Sequence, residues 1–176
     1  ELQGEAQNYE ALMAAIKETA QVPIRFDTWT DSKKGYYNLT NQEIVIKSGM
    51  SERQTVKTAI HETAHSILHT DKEHLKDSAT MEVEAESVAF VVCQHFGLDT
   101  SDYSFGYLAS WSSGKELLEL KASLQTIQKT SDGLIGKLEH LMKKYINNLA
   151  ISQSLTVEAE QLSGIGDTFY KHTHRR

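Results

Sequence analysis

Apolar residues recur at helical spacing after Ser51, with Val56, Ala59, Ile60, Ala64, Ile67 and Leu68 tracing one face of a helix expected over about residues 52–69. A second face of that helix carries His61, Glu62 and His65. Residues four apart in a helix sit one above the other, about 6 Å between Cβ atoms, so the two imidazoles can share one metal ion. Ala64, a small residue between them, leaves room beside the ion. A glutamate directly after the first histidine is the usual general base of a zinc hydrolase. The plain structural alternative is a helix with two surface histidines and a solvated glutamate.

A catalytic zinc needs three protein ligands and one open position. The next helical pattern, about residues 80–96, offers Glu82, Glu84 and Glu86, with Met81, Ala85, Val88, Val92 and Phe96 as its apolar stripe. At 100° per residue, Glu82 and Glu86 share a face that continues to the small residues Ala89 and Cys93, whereas Glu84 lies about 200° away from Glu82. The phase argument selects Glu82 as third ligand, Glu86 as the carboxylate that holds a ligand imidazole in its tautomer, and Glu84 as solvated. His69 stands eight residues from His61, about 12 Å along the axis, too far to share its ion; it reads as a helix C-terminal histidine favoured by the macrodipole. His74, in a polar connection, is a weaker ligand candidate.

Around these two helices the pattern is α+β. Tyr9, Leu12, Met13 and Ile16 predict an amphipathic helix over about residues 5–20, closed by Pro23. Ile24–Phe26, Tyr36–Leu39 and Glu43–Lys47, separated by turn signals at Lys33–Gly35 and Thr40–Gln42, predict a small antiparallel sheet of two to four strands. Ser51 and Gln54 resemble a capping box, and Gly97 a helix C-cap. Residues 115–150 are again helical, broken or bent near Gly133 and Gly136. The domain expected is 1–150, with 151–176 as a partly disordered extension.

The chain has 176 residues and a net charge of −6, with no basic cluster longer than a pair, which argues against a nucleic-acid surface. The single cysteine, Cys93, excludes a disulfide framework, reads as a core side chain and points to a reducing, bacterial cytoplasmic setting. No apolar run is long enough to span a bilayer, and no signal peptide is visible. The first residue is Glu1 rather than methionine, which reads as a domain excised from a longer parent.

The run His61-Glu62-Thr-Ala-His65-x-x-Leu68-His69, followed by Glu82-x-x-Ala85-Glu86-x-x-Ala89-Phe90, resembles the ImmA/IrrE-type metallopeptidases and the related C-terminal domain of ArdC-like antirestriction proteins. The resemblance covers about residues 8–130, and the segment after Asp99 is similar to domains encoded on conjugative elements. It implies a gluzincin, a thermolysin-like layout with His61, His65 and Glu82 on Zn2+, Glu62 as base, and Glu86 supporting a ligand histidine. It also implies a protein or peptide substrate, with a repressor or other regulatory protein of a mobile element as the family's substrate class. The single-strand-binding domain of ArdC-like proteins has no counterpart here, so DNA binding is not carried over.

The expected chemistry is zinc-dependent peptide hydrolysis in which Glu62 takes a proton from the attacking water and delivers it to the leaving amine. Tyr103, Tyr107, Tyr145 and His140 are candidates for stabilising the oxyanion. The strand Glu43–Lys47 is the expected sheet edge for an extended substrate. The alternative is a zinc-containing binding or antirestriction module without peptidase activity, which would have no use for Glu62.

Overall fold

The computed structural model describes residues 2–6, 8–70, 76–100, 112, 115 and 117–173. Helix α1 spans Tyr9–Ala20, opening at Asn8 and closing at Gln21, both in the left-handed conformation, at φ 54 and φ 58. It starts at Tyr9, the first residue of its apolar pattern, rather than near the expected residue 5. Pro23 follows, where a helix cannot continue. Helix α2 spans Glu52–Leu68, and the Ser51 hydroxyl accepts from the Gln54 backbone N–H at 3.2 Å. Only this arm of the capping box forms. The Gln54 amide instead accepts from the Leu2 backbone N–H and donates to the Thr58 hydroxyl. Helix α3 spans Ser78–His95, where Asp77 accepts from both the backbone and the hydroxyl of Thr80. Gly97, at φ 74, ends it. Its N–H reaches the Gln94 carbonyl, and the Leu98 N–H reaches back to Cys93.

The sheet has three strands, β1 (Ile24–Asp27), β2 (Gly35–Asn38) and β3 (Glu43–Lys47), in the order β1-β3-β2. It is mixed rather than wholly antiparallel: β2 pairs antiparallel with β3, and β1 pairs parallel with it. After β1 the chain crosses to the far position and forms β2. The Leu39–Gln42 turn, with Gln42 at φ 49, then returns it between the two. The residues explain why β3 is central. Ile44, Val45 and Ile46 are all fully buried, an unbroken apolar run that suits a strand covered on both faces. Paired on both sides in the order β1-β3-β2, β3 has no free edge, and β2 occupies the edge position expected of it.

Helix α4 spans Leu117–Thr173 without interruption. It is not broken at Gly133 or Gly136. Both glycines are exposed, and a Cβ added at either meets nothing within 4 Å. Alanine at each should therefore stabilise the protein by about 0.5–1 kcal/mol, because glycine only weakens an exposed helix interior. A rise of a few degrees in melting temperature for the double variant is the expected reading, and a fall would show a bend that needs the glycines. The boundary expected at residue 150 falls inside this helix, while its core residues Ile127, Leu134 and Leu138 precede it.

Helix α2 lies between the sheet and the other helices, packing on β2 and β3 and against α1 and α3; α4 closes over α1 and α3. Val56, Ala59, Ile60 and Ala64 enter the core as expected, but Ile67 is exposed. The core continues through Leu12, Ile16, Val88, Val92 and Leu138. Cys93 is part of it, and burial pushes its thiol up to about 12, as befits a packing residue.

Candidate metal centre and cleft

One turn of α2 brings the Nε2 atoms of His61 and His65 to 3.1 Å from each other. The Glu82 carboxylate, from α3, lies 3.5 Å from each of them, through Oε2 to His61 and Oε1 to His65. These three residues form the group that could hold a metal ion among the described residues. A tetrahedral ion with bonds of about 2.0–2.1 Å requires ligand atoms about 3.4 Å apart, which these separations match. Two imidazole nitrogens and a carboxylate oxygen facing one another are the donor types a divalent ion takes.

The far nitrogen of His61, Nδ1, lies 3.2 Å from Glu86 Oε2. The distance is that of a hydrogen bond, but the direction is not, and Nδ1 is a buried atom without an aligned partner. Glu86 Oε2 also receives Lys57 Nζ at 2.7 Å, both side chains being buried. Burial alone would lower the His61 pKa, but Glu82, Glu86 and Glu62 overcome it and raise it to about 9. The same imidazoles hold Glu82 well below the usual carboxylate range.

Glu62 projects from α2 beneath β2 and is buried. Burial raises its pKa, opposed by the charges of His61 and His65 and by a backbone hydrogen bond from Tyr37. Gly35 makes this approach possible. A Cβ there would stand 2.7 Å from the Thr58 methyl, 3.0 Å from the Val45 carbonyl and 3.4 Å from Glu62 Cγ. Any larger residue would push β2 off the helix. The cleft between β2 and α2 measures about 540 Å³, and Lys33, Lys34 and Tyr36 line it beside the histidines.

Glu84 is not solvated. It is fully buried, accepting from Lys76 Nζ at 2.5 Å and from Ser123 of α4 at 2.8 Å, with His69 Nε2 at 3.3 Å. The phase argument places it off the Glu82 face correctly, but α4 covers that other face. His69 is likewise buried, its Nδ1 2.9 Å from His65 Nδ1. Sequence reasoning missed the roles of Lys57 and His69, yet the signal was present. Lys57, His61, His65 and His69 recur every four residues and form one ladder along α2.

Among the oxyanion candidates, Tyr145 donates to Glu18 at 2.6 Å on the outer surface, and His140 is exposed; neither lines the cleft. Tyr103, Tyr107 and His74 lie outside the described residues.

The His61 shift has a stability consequence for the metal-free protein. A pKa raised from 6.5 to about 9 on folding contributes stability that is fully present below pH 6.5 and is lost as pH rises through 9. Thermal unfolding in chelator should therefore show the melting temperature falling over that window, and His61→Gln should flatten the fall.

Residues 19–101 match the family model described as Peptidase_M78, IrrE N-terminal-like domain. A stretch of 99 residues is 34% identical to an uncharacterized protein of Bacillus anthracis, covering 55% of this chain and 17% of that protein. Two solved structures of the antirestriction ArdC protein from the R388 plasmid are also similar. The Mn(II)-bound form is 24% identical with a TM-score of 0.45, over 80% of this chain and 52% of that one. The metal-free form is 23% identical with a TM-score of 0.48, over 82% of this chain and 52% of that one. The chain thus spans under a fifth of the curated relative.

Proposed function

Residues 19–101 belong to the IrrE N-terminal-like family, and from that premise we propose that the protein is a zinc-dependent endopeptidase with His61, His65 and Glu82 as metal ligands, Glu62 as general base and Glu86 as the support of His61. The observation that carries the reading is the convergence of two Nε2 atoms and one carboxylate within 3.1–3.5 Å, beside a buried glutamate whose proton affinity is raised. Two imidazoles and one carboxylate favour zinc among the common divalent ions.

The metal, when bound, supplies Lewis-acid polarisation of the scissile carbonyl and acidifies a water. This chain's own residues do the rest. Glu62 accepts the proton of the attacking water and returns it to the leaving amine, a role helped by a carboxyl that holds protons more tightly than one in water. Strand β2 receives the substrate. The Lys34 carbonyl accepts from the Lys47 N–H, so the alternation of an antiparallel pair turns the main-chain groups of Gly35 and Tyr37 away from β3. The Tyr37 N–H is taken by Glu62, which leaves the Gly35 N–H and the two carbonyls for a peptide. An extended peptide laid there gains main-chain hydrogen bonds directly above Glu62.

The proposed substrate is thus an extended protein segment, with a regulatory or repressor protein as the candidate from the family resemblance. No helix among the described residues is long and apolar enough to cross a membrane, and a cytoplasmic setting is part of this proposal. The alternative, a metal-dependent binding module, does not require a buried carboxylate beside the ligands, so Glu62 favours the peptidase. Metal analysis of the purified protein and digestion of a mixed peptide library test the reading. One equivalent of zinc and chelator-sensitive cleavage are expected; no bound divalent metal and no cleavage would overturn it.

A further inference from the structure

We propose that Glu84, acting through His69, is the positioning carboxylate for His65, so that each ligand histidine is oriented by its own buried glutamate. The inference rests on the metal-centre reading above and extends it to residues outside the ligand set. With His65 Nε2 turned toward the ligand cluster, its Nδ1 carries the hydrogen and donates to His69 Nδ1 at 2.9 Å. His69 then carries its own hydrogen on Nε2, which faces Glu84 Oε2 at 3.3 Å. Donors and acceptors alternate without conflict along this chain, and it fixes the tautomer of both rings.

The end of the chain is anchored. Glu84 is 0% exposed, and its second oxygen receives Lys76 Nζ and Ser123 Oγ. A carboxylate buried this deeply is costly unless both oxygens are hydrogen-bonded and a cation is at hand. Lys76 supplies the cation and Ser123 the remaining donor. His61 has a shorter counterpart in its neighbourhood, its Nδ1 lying 3.2 Å from Glu86 Oε2, which is itself held by Lys57. The His65 arm is longer by one imidazole because Glu84 sits two residues further along α3 than Glu82, on the face covered by α4. Through Ser123, α4 reaches the metal centre without lining the cleft.

A purely structural Glu84, tying α3 to α4 and to the connection before α3, would have the same burial. A double-mutant cycle on metal affinity separates the two roles. Zinc affinity is measured by competition with a chromogenic chelator on the unaltered protein, His69→Phe, Glu84→Gln and the double variant. Melting temperatures are taken in the metal-free state. Loss of a group orienting a ligand histidine weakens metal binding by about 10–100-fold. Each single variant should show a loss of that order, and Glu84→Gln should add less than about threefold once His69 is gone. Unchanged affinity in either single variant, or losses that multiply fully in the double, would overturn the proposal. Should Glu84→Gln not fold, Ser123→Ala replaces it. A severalfold loss in the unaltered background that vanishes with His69→Phe supports the relay, and equal effects in both backgrounds overturn it. Failure of the unaltered protein to bind zinc at all would instead remove the metal-centre reading on which the relay depends.

Discussion

Glu62→Gln should retain one equivalent of metal and the native melting temperature while losing peptide hydrolysis by about 10²–10⁴-fold, the usual contribution of a positioned general base. The substitution is nearly isosteric at a site with little spare room. Glu62 Cγ lies 3.4 Å from the position a Cβ on Gly35 would take, and the side chain is buried. The amide oxygen of glutamine can still accept from the Tyr37 backbone, so β2 stays in place. What disappears is the lone pair able to take a proton. Burial keeps the pKa of that carboxyl raised, which makes Glu62 a better proton acceptor than a surface glutamate. Cleavage of a reporter peptide at saturating zinc is the measurement. Full activity would exclude Glu62 as the base, and loss of metal along with activity would place it in the ligand set.

Much of this site was readable because both of its helices are regular. Four-residue spacing put His61 and His65 on one face, and the same spacing joined Glu82 to Glu86 on the next helix. The structure brings those four side chains to one place. Phase within a helix, however, does not say what covers each face. Glu84 looked solvated because nothing in its neighbours announces that α4, some forty residues later, lies over it. The strand order was hidden for a similar reason. Local turn signals gave the β2–β3 hairpin, but the parallel pairing of β1 with β3 is a long-range outcome. It leaves β3 without a free edge and β2 as the exposed edge on the cleft side. Lys57 is the most instructive omission. In sequence it is one more lysine on a polar stretch of an acidic chain; in the structure it is the buried counter-charge of Glu86.

Lys57→Met should destabilise the protein by about 3–5 kcal/mol, the cost of leaving one member of a buried ion pair without its partner. Lys57 Nζ lies 2.7 Å from Glu86 Oε2, and the two side chains are only 7% and 8% exposed. Screening by solvent is therefore weak, and Glu86 cannot relax into water. For a chain of this size the loss corresponds to a fall in melting temperature of roughly 6–20 °C. The companion variant separates charge from packing. If the cost is the stranded carboxylate, Glu86→Gln in the Lys57→Met background should restore part of the stability, because a neutral amide tolerates the same pocket. If methionine simply packs badly, the second substitution will add its own penalty instead. Chemical denaturation of the single and double variants, compared at constant denaturant dependence, decides between them. The rescue should also stop short at the metal centre, since Glu86 is the carboxylate 3.2 Å from His61 Nδ1. A double variant that regains stability while still binding zinc more weakly than the unaltered protein would show Glu86 serving the fold and the ligand histidine at once.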